Sequence, residues 1–190
     1  MFTTIPMWLT WARILAIPLI AGVFGLPLPE VWQNWIAALL FVGVAVTDWL
    51  DGWLARRWNQ TSAFGAFLDP VADKFLVCAS LLILLDLGRV NVPVALIIIG
   101  REIAISALRE WMAQIGATRS VAVHMLGKLK TTLQMIALPF LLVDSPSLLG
   151  RIDAAFWGTV LIYAASVLTI WSMAYYLHKA WPDIRSRMTP

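Results

Sequence analysis

Six stretches of this chain are apolar for close to the length a helix needs to cross a bilayer, about 20 residues. They run roughly over 8–24, 32–53, 71–87, 92–112, 121–143 and 154–177. Helix breakers and turn formers separate them: Gly25-Leu26-Pro27-Leu28-Pro29, Asn59-Gln60-Thr61-Ser62, Gly88 with Asn91-Val92-Pro93, Gly116-Ala117-Thr118 and Asp144-Ser145-Pro146-Ser147. A chain so punctuated is expected to be all-α, a bundle of six transmembrane helices in one domain spanning residues 1–190, with Pro182 and the charged tail ending the last helix. Of its 190 residues 61% are hydrophobic and 13% charged, against roughly 45–50% and about 25% in soluble domains. A domain of this size cannot bury that much apolar surface in its own core, so lipid must solvate part of it. The 11 Trp fit, because Trp gathers at membrane interfaces; Trp171, Tyr175 and Tyr176 are expected to form one such belt.

Charge placement sets an orientation. With both termini cytoplasmic, the cytoplasmic side holds Arg56, Arg57, Lys74, Arg119, Lys128, Lys179, Arg185 and Arg187, and the other side only Arg89 and Arg151. Lys and Arg accumulate on the cytoplasmic side of membrane proteins, which favours this arrangement and puts the 48–73 region on the nucleotide-bearing side. A bacterial inner membrane is the expected location. No charged leader followed by a small-residue cleavage site opens the chain, so no removable signal peptide is expected. The net charge of +3 and the spanning pattern argue against a nucleic-acid partner, and the single Cys78 excludes an intrachain disulfide.

The segments nonetheless carry charge: Asp48 and Asp51 late in the second, Asp73 and Lys74 at the start of the third, Arg101, Glu102, Arg109 and Glu110 in the fourth, Lys128 and Lys130 in the fifth. A charge at mid-bilayer costs at least about 2.5 kcal/mol on insertion scales, so these groups imply a polar cavity open to the cytoplasm. Long side chains such as Lys128 and Arg109 can instead snorkel to the interface; an aspartate is too short. Asp48 and Asp51 are three apart and share a helix face, and Asp69 and Asp73, four apart, share another. Gly52 and Ala55 extend the first face with almost no side chain, and Gly65 leaves room for a bulky ligand. A polar turn would fold the two helices antiparallel and let the four carboxylates converge. Such a cluster needs neutralising, and Mg²⁺ or Mn²⁺ suits carboxylate plus phosphate oxygen. Two divalent ions about 3.5–4 Å apart can clamp a phosphoryl group in an in-line displacement, and Arg56 offers a fork for phosphate. Ion pairing of the aspartates with Arg56, Arg57 and Lys74 would require neither the small-residue face nor four carboxylates.

This spacing resembles the complete signature of the CDP-alcohol phosphotransferases: two aspartates three apart, Gly, Ala-Arg, Gly, then two aspartates four apart. Further stretches resemble a bacterial branch of that family: Ile5-Pro6, Leu9-Thr10 and Arg13; residues 67–74 from Phe67 to Lys74; Gly100-Arg101-Glu102-Ile103 with Ser106-Ala107-Leu108-Arg109-Glu110; and Gly127-Lys128-Leu129-Lys130-Thr131-Thr132-Leu133-Gln134. Many relatives have Asn where this chain has Met7, so no contact of that Asn carries over. The resemblance implies transfer of a phosphatidyl group from CDP-diacylglycerol to sn-glycerol 3-phosphate, with release of CMP. It implies that Asp48, Asp51, Asp69 and Asp73 ligate two divalent cations, that Asp73 is the general base, and that Gly52, Ala55, Arg56 and Gly65 contact the CDP moiety.

The acceptor's phosphate needs cations beyond those beside the aspartates. Arg101 and Arg109, eight apart and about two helical turns, share a face; Lys128 and Lys130 are the other candidates. Internal pairing of Arg101 with Glu102 or Glu110 competes with that role. Another acceptor within the same family, such as inositol phosphate, serine or a second phospholipid, is the alternative, and the cations favour a phosphorylated one over serine. A divalent-cation transporter is the alternative of another class, disfavoured because no internal repeat is present and Arg56 would repel a permeating cation. His124 and His178 lack metal-ligand spacing. Gly150 and Gly158 are expected to permit close helix packing or a homodimer.

Overall fold

The computed structural model describes residues 5–58, 63–114, 116, 125–146, 148 and 151–188; side chains are described for fewer of these, and those of 5–9 and 48–64 are outside the described set. The described residues form six α-helices: α1 (Ile5–Val23), α2 (Glu30–Trp58), α3 (Ala63–Asp86), α4 (Val92–Gln114), α5 (Met125–Val143) and α6 (Ala154–Met188). Each expected apolar segment falls on one of them. The turn at Asn59-Gln60-Thr61-Ser62 and the residues between α4 and α5, His124 included, lie outside the described residues.

The surface pattern is inverted relative to a water-soluble bundle. Leu15 and Leu19 on α1, Leu39 on α2, Leu96 on α4 and Val167 on α6 are all more than 60% exposed, while Thr10, Arg13, Asn34, Arg101, Lys130 and Gln134 are buried. Apolar side chains outside and polar groups inside suit a hydrocarbon solvent, in which polar groups must find partners within the protein. Among the described residues, two helices contain windows long and apolar enough to cross a membrane, Glu30–Thr47 in α2 and Ala154–Pro182 in α6, and α1 has a shorter apolar stretch, Thr10–Val23. Charged groups interrupt α3, α4 and α5.

Helix α1 lies against both α2 and α3, α5 against α2 and α6, and α4 against α3 and α6. A continuous core joins Ile17 and Ile20 of α1, Phe41 of α2, Leu81 and Leu84 of α3, Ile98 of α4, Leu138 and Leu141 of α5 and Ile162 of α6. Gly158 brings α6 close to α5: a Cβ there would lie 2.9 Å from Leu141 Cγ and 3.0 Å from Leu141 N. It is thus a packing glycine between helices of one chain.

One end of the bundle is gathered by Arg89, in the turn after α3, whose side chain is 7% exposed. Its Nη2 donates to Glu30 Oε1 at 3.2 Å and Asn34 Oδ1 at 2.9 Å on α2. Its Nη1 donates to the carbonyls of Leu141 and Leu142 at 3.3 and 2.9 Å, and its Nε lies 3.0 Å from Asp144 Oδ2. The guanidinium thereby supplies partners to α5 carbonyls that have none within the helix. The turn itself needs Gly88, whose φ of 71° is the left-handed conformation that ends many helices.

Two boundaries depart from the sequence reading. Helix α3 begins at Ala63, ahead of the apolar segment expected over 71–87, and Pro70 is inside it; Asp69 and Asp73 share this helix, as their four-residue spacing implies. Hydropathy marks where charge stops, whereas the helix is set by backbone hydrogen bonds that charged residues make equally well. Helix α6 does not end at Pro182 but continues to Met188. Proline removes one hydrogen bond and strains a turn, but Ala180 and Ile184 on either side pack on Met112 and Leu108 of α4, and that burial holds the helix across it. Tyr176 also differs: it is 1% exposed rather than part of a surface belt, because the face carrying Ser172, Tyr176 and Ala180 repeats every four residues and turns inward.

Candidate active site

The site is built on the two described aspartates of α3. Asp69 and Asp73 are one turn apart, and each takes a hydrogen bond from α1. Thr10 Oγ1 donates to Asp69 Oδ1 at 2.7 Å, and Arg13 Nη1 donates to Asp73 Oδ1 at 2.9 Å. Thr10 and Arg13 are three apart, which puts both on the α1 face turned to α3. The Arg13 side chain is 1% exposed, that of Asp73 49%: the cation is buried behind a carboxylate that remains accessible. The sequence reading assigned Thr10 and Arg13 no role. An arginine in the middle of an apolar helix was the available signal, because such a charge requires a partner.

Asp73 opens on a cavity of about 280 Å³ whose lining includes Ala45 of α2, Lys74 and Val77 of α3, Glu102 of α4, and Thr131, Gln134 and Met135 of α5. A second cavity, about 400 Å³, is lined by Arg101, Glu102 and Arg109 of α4 and by Gly127, Lys128, Thr131 and Thr132 of α5. Glu102 and Thr131 belong to both, so the acidic and the basic cavity adjoin.

The cations of the second cavity are positioned by two contacts. Glu102 Oε1 accepts from Arg101 Nη1 at 3.0 Å and from Lys130 Nζ. Lys130 is fully buried behind that carboxylate, so the structure gives it an ion pair rather than a place in either cavity wall. Arg101, expected to compete between an internal pair and a ligand, has the internal pair with Glu102 and also lines the cavity. Arg109 stacks over the Tyr176 ring, 5.5 Å from its centroid, a cation–π contact that orients the guanidinium without neutralising it. The Tyr176 hydroxyl approaches Gly127, where a Cβ would come within 3.1 Å. Lys128 is exposed on the cavity wall. Arg101, Arg109 and Lys128 thus face one carboxylate, a surplus of positive charge suited to a phosphate dianion.

Helix α2 runs through Asp48, Asp51, Gly52, Ala55 and Arg56, whose side chains lie outside the described residues. Ala45, in the wall of the first cavity, precedes Asp48 by three residues. Gly65 is in the first turn of α3. The donor chemistry of the described part fits a hard divalent cation: Asp69 and Asp73 present carboxylate oxygens on successive turns of α3. The arrangement can place an anion held by arginines beside an accessible carboxylate, the requirement for transferring a group to a phosphorylated alcohol.

The chain belongs to the CDP-alcohol phosphatidyltransferase family, whose model matches residues 3–171. It is 49% identical over 183 residues to the CDP-diacylglycerol–glycerol-3-phosphate 3-phosphatidyltransferase of Yersinia enterocolitica, and to the same degree to those of Sodalis glossinidius and Escherichia coli K12. Each alignment covers 95% of this chain and 96% of the relative.

Proposed function

We propose that this chain transfers the phosphatidyl group of CDP-diacylglycerol to sn-glycerol 3-phosphate, forming phosphatidylglycerophosphate and releasing CMP. The observation that carries the reading is the shared wall of Glu102 and Thr131 between the Asp73 cavity and the arginine cavity, in a chain so similar to enzymes named for that reaction.

In this reading Asp48, Asp51, Asp69 and Asp73 hold two divalent cations, Mg²⁺ or Mn²⁺. When bound, such ions neutralise pyrophosphate oxygens and make the phosphorus easier to attack. Gly52, Ala55 and Gly65 admit the CDP moiety and Arg56 pairs with its phosphate. The acceptor's phosphate sits against Arg101, Arg109 and Lys128, with Lys130 adding positive charge from behind Glu102. That seat aims the hydroxyl at the far end of the glycerol toward Asp73. Its oxygen forms a new bond to the lipid-bearing phosphorus as the bond to CMP breaks, and Asp73 takes the proton. Arg13 fixes where that carboxylate points. Holding both partners in line contributes much of the acceleration, since oriented groups gain large effective molarities.

The six helices are proposed to span a bacterial inner membrane as one domain over residues 1–190, with both termini and the site cytoplasmic. The outward apolar faces and the distribution of Lys and Arg support this, and a homodimer is compatible with it. The functional test is CMP release by the purified protein in detergent with CDP-diacylglycerol and Mg²⁺. Release that depends on glycerol 3-phosphate is the expected result. Release with inositol phosphate or serine alone would replace the acceptor, and cation flux in liposomes without CMP release would replace the reaction.

A further inference from the structure

Gln134 is 2% exposed, lines the Asp73 cavity, and its buried Oε1 has no hydrogen-bond partner. A buried amide oxygen without a partner is costly in an apolar surround, and native proteins rarely leave one so. The residue sits on α5 three positions after Thr131, which belongs to both cavities, and seven after Gly127, which lines the basic one. The inward face of α5 therefore passes from the phosphate seat, through Thr131, to an unpaired amide beside Asp73. Three residues of helix rise about 4.5 Å, comparable to the reach of a three-carbon chain.

We infer that the Gln134 amide reads the hydroxyl of the acceptor carbon next to the one that attacks, so that it selects phosphorylated acceptors with two adjacent hydroxyls. This rests on the proposed phosphatidyl transfer and deepens it by assigning how the middle of the acceptor is recognised. An amide carries one carbonyl acceptor and two N–H donors, so it pairs with a hydroxyl in either sense. The neighbouring Glu102 Oε1 is already taken by Arg101 and Lys130, and Thr131 Oγ1 donates to the carbonyl of Gly127 at 2.9 Å. Among the described wall residues of the Asp73 cavity, Gln134 thus has a fully buried carbonyl oxygen that stands uncommitted. A phosphorylated alcohol lacking the middle hydroxyl would fill the same seat but leave the amide buried and unpaired.

The test compares glycerol 3-phosphate with 3-hydroxypropyl phosphate, which lacks only the middle hydroxyl, by kcat/KM for CMP release. The wild-type enzyme is expected to prefer glycerol 3-phosphate by about ten- to a hundredfold, the usual consequence of one unpaired buried polar group. In Gln134→Leu, which keeps the bulk and removes the amide, the preference should fall to within about threefold of unity, with KM for CDP-diacylglycerol unchanged. Gln134→Asn withdraws the amide by one methylene and should give an intermediate preference, which keeps the inference testable if the Leu variant does not fold. A preference undiminished from wild type in either variant, both substrates slowing together, shows that Gln134 only packs and overturns the assignment while leaving the reaction intact. A wild-type enzyme that releases no CMP with glycerol 3-phosphate overturns the proposed reaction and this inference with it.

Discussion

Replacing Glu102 by Gln should destabilise the bundle, and the size of the effect follows from who is left unpaired. Lys130 is fully buried and Arg101 is 8% exposed at its side chain, and both spend a hydrogen bond on the same Glu102 oxygen. Removing one member of a buried ion pair typically costs about 3–5 kcal/mol, because the partner charge stays buried. Glu102 is itself 17% exposed at its side chain, and Gln keeps one carbonyl to accept from Lys130. The lower end of that range, about 3 kcal/mol, is therefore the expected loss. For a chain of this length about 1 kcal/mol corresponds to roughly 2–4 °C in Tm, so Glu102→Gln should melt about 6–12 °C lower by intrinsic Trp fluorescence in detergent. Lys130→Met should lose a similar amount. The double variant should lose less than the two combined, because it leaves Arg101, which also lines a cavity, as the one partner of Glu102 still charged; a coupling of about 2–3 kcal/mol is expected. Strict additivity in the double-mutant cycle would refute the reasoning and show that Lys130 and Glu102 are each satisfied by something else.

Asp69→Asn and Asp73→Asn should each reduce CMP release by at least about a hundredfold, the usual scale for losing a positioned acid–base group or ligand, with folding intact by circular dichroism. Chelation with EDTA should abolish turnover and added Mg²⁺ or Mn²⁺ should restore it; full activity after exhaustive chelation would count against the metal reading. Arg109→Met should raise KM for glycerol 3-phosphate by about tenfold or more, with little change for CDP-diacylglycerol, since it removes a charge-assisted contact to phosphate alone. Gly158→Ala should lower thermal stability by about 1–3 kcal/mol, the usual cost of overpacking, because the new methyl would press on the Leu141 backbone as well as its side chain.

What was legible in the sequence was set by short-range rules. The six apolar segments gave six helices because the chain is broken wherever Gly, Pro or Asn clusters occur. The family was legible because the aspartate spacing is a helical register, and register is local. The partners of those aspartates were not legible: Thr10 and Arg13 precede Asp69 and Asp73 by 59 and 60 residues, and only the packing of α1 on α3 brings them together. The same holds for Lys130, whose place behind Glu102 depends on how α4 and α5 face each other. The continuation of α6 through Pro182 was hidden for a related reason. A local rule forbids it, and a distant contact with Met112 and Leu108 overrides the rule. Asp48, Asp51 and Arg56 stand where the sequence put them, on α2, and their convergence with α3 is a matter for the proposed mechanism.

Arg89 has a consequence for how the far end of this protein can vary. Its planar fork ties the start of α2 to the end of α5 by direct bonds, from the turn that ends α3, so the connecting loops are relieved of that task. Loops there can lengthen, shorten or change composition without shifting the helices that carry the chemistry at the opposite end. A substitution they absorb poorly is at position 89 itself, where a lysine, with a single nitrogen, cannot span the same set of acceptors.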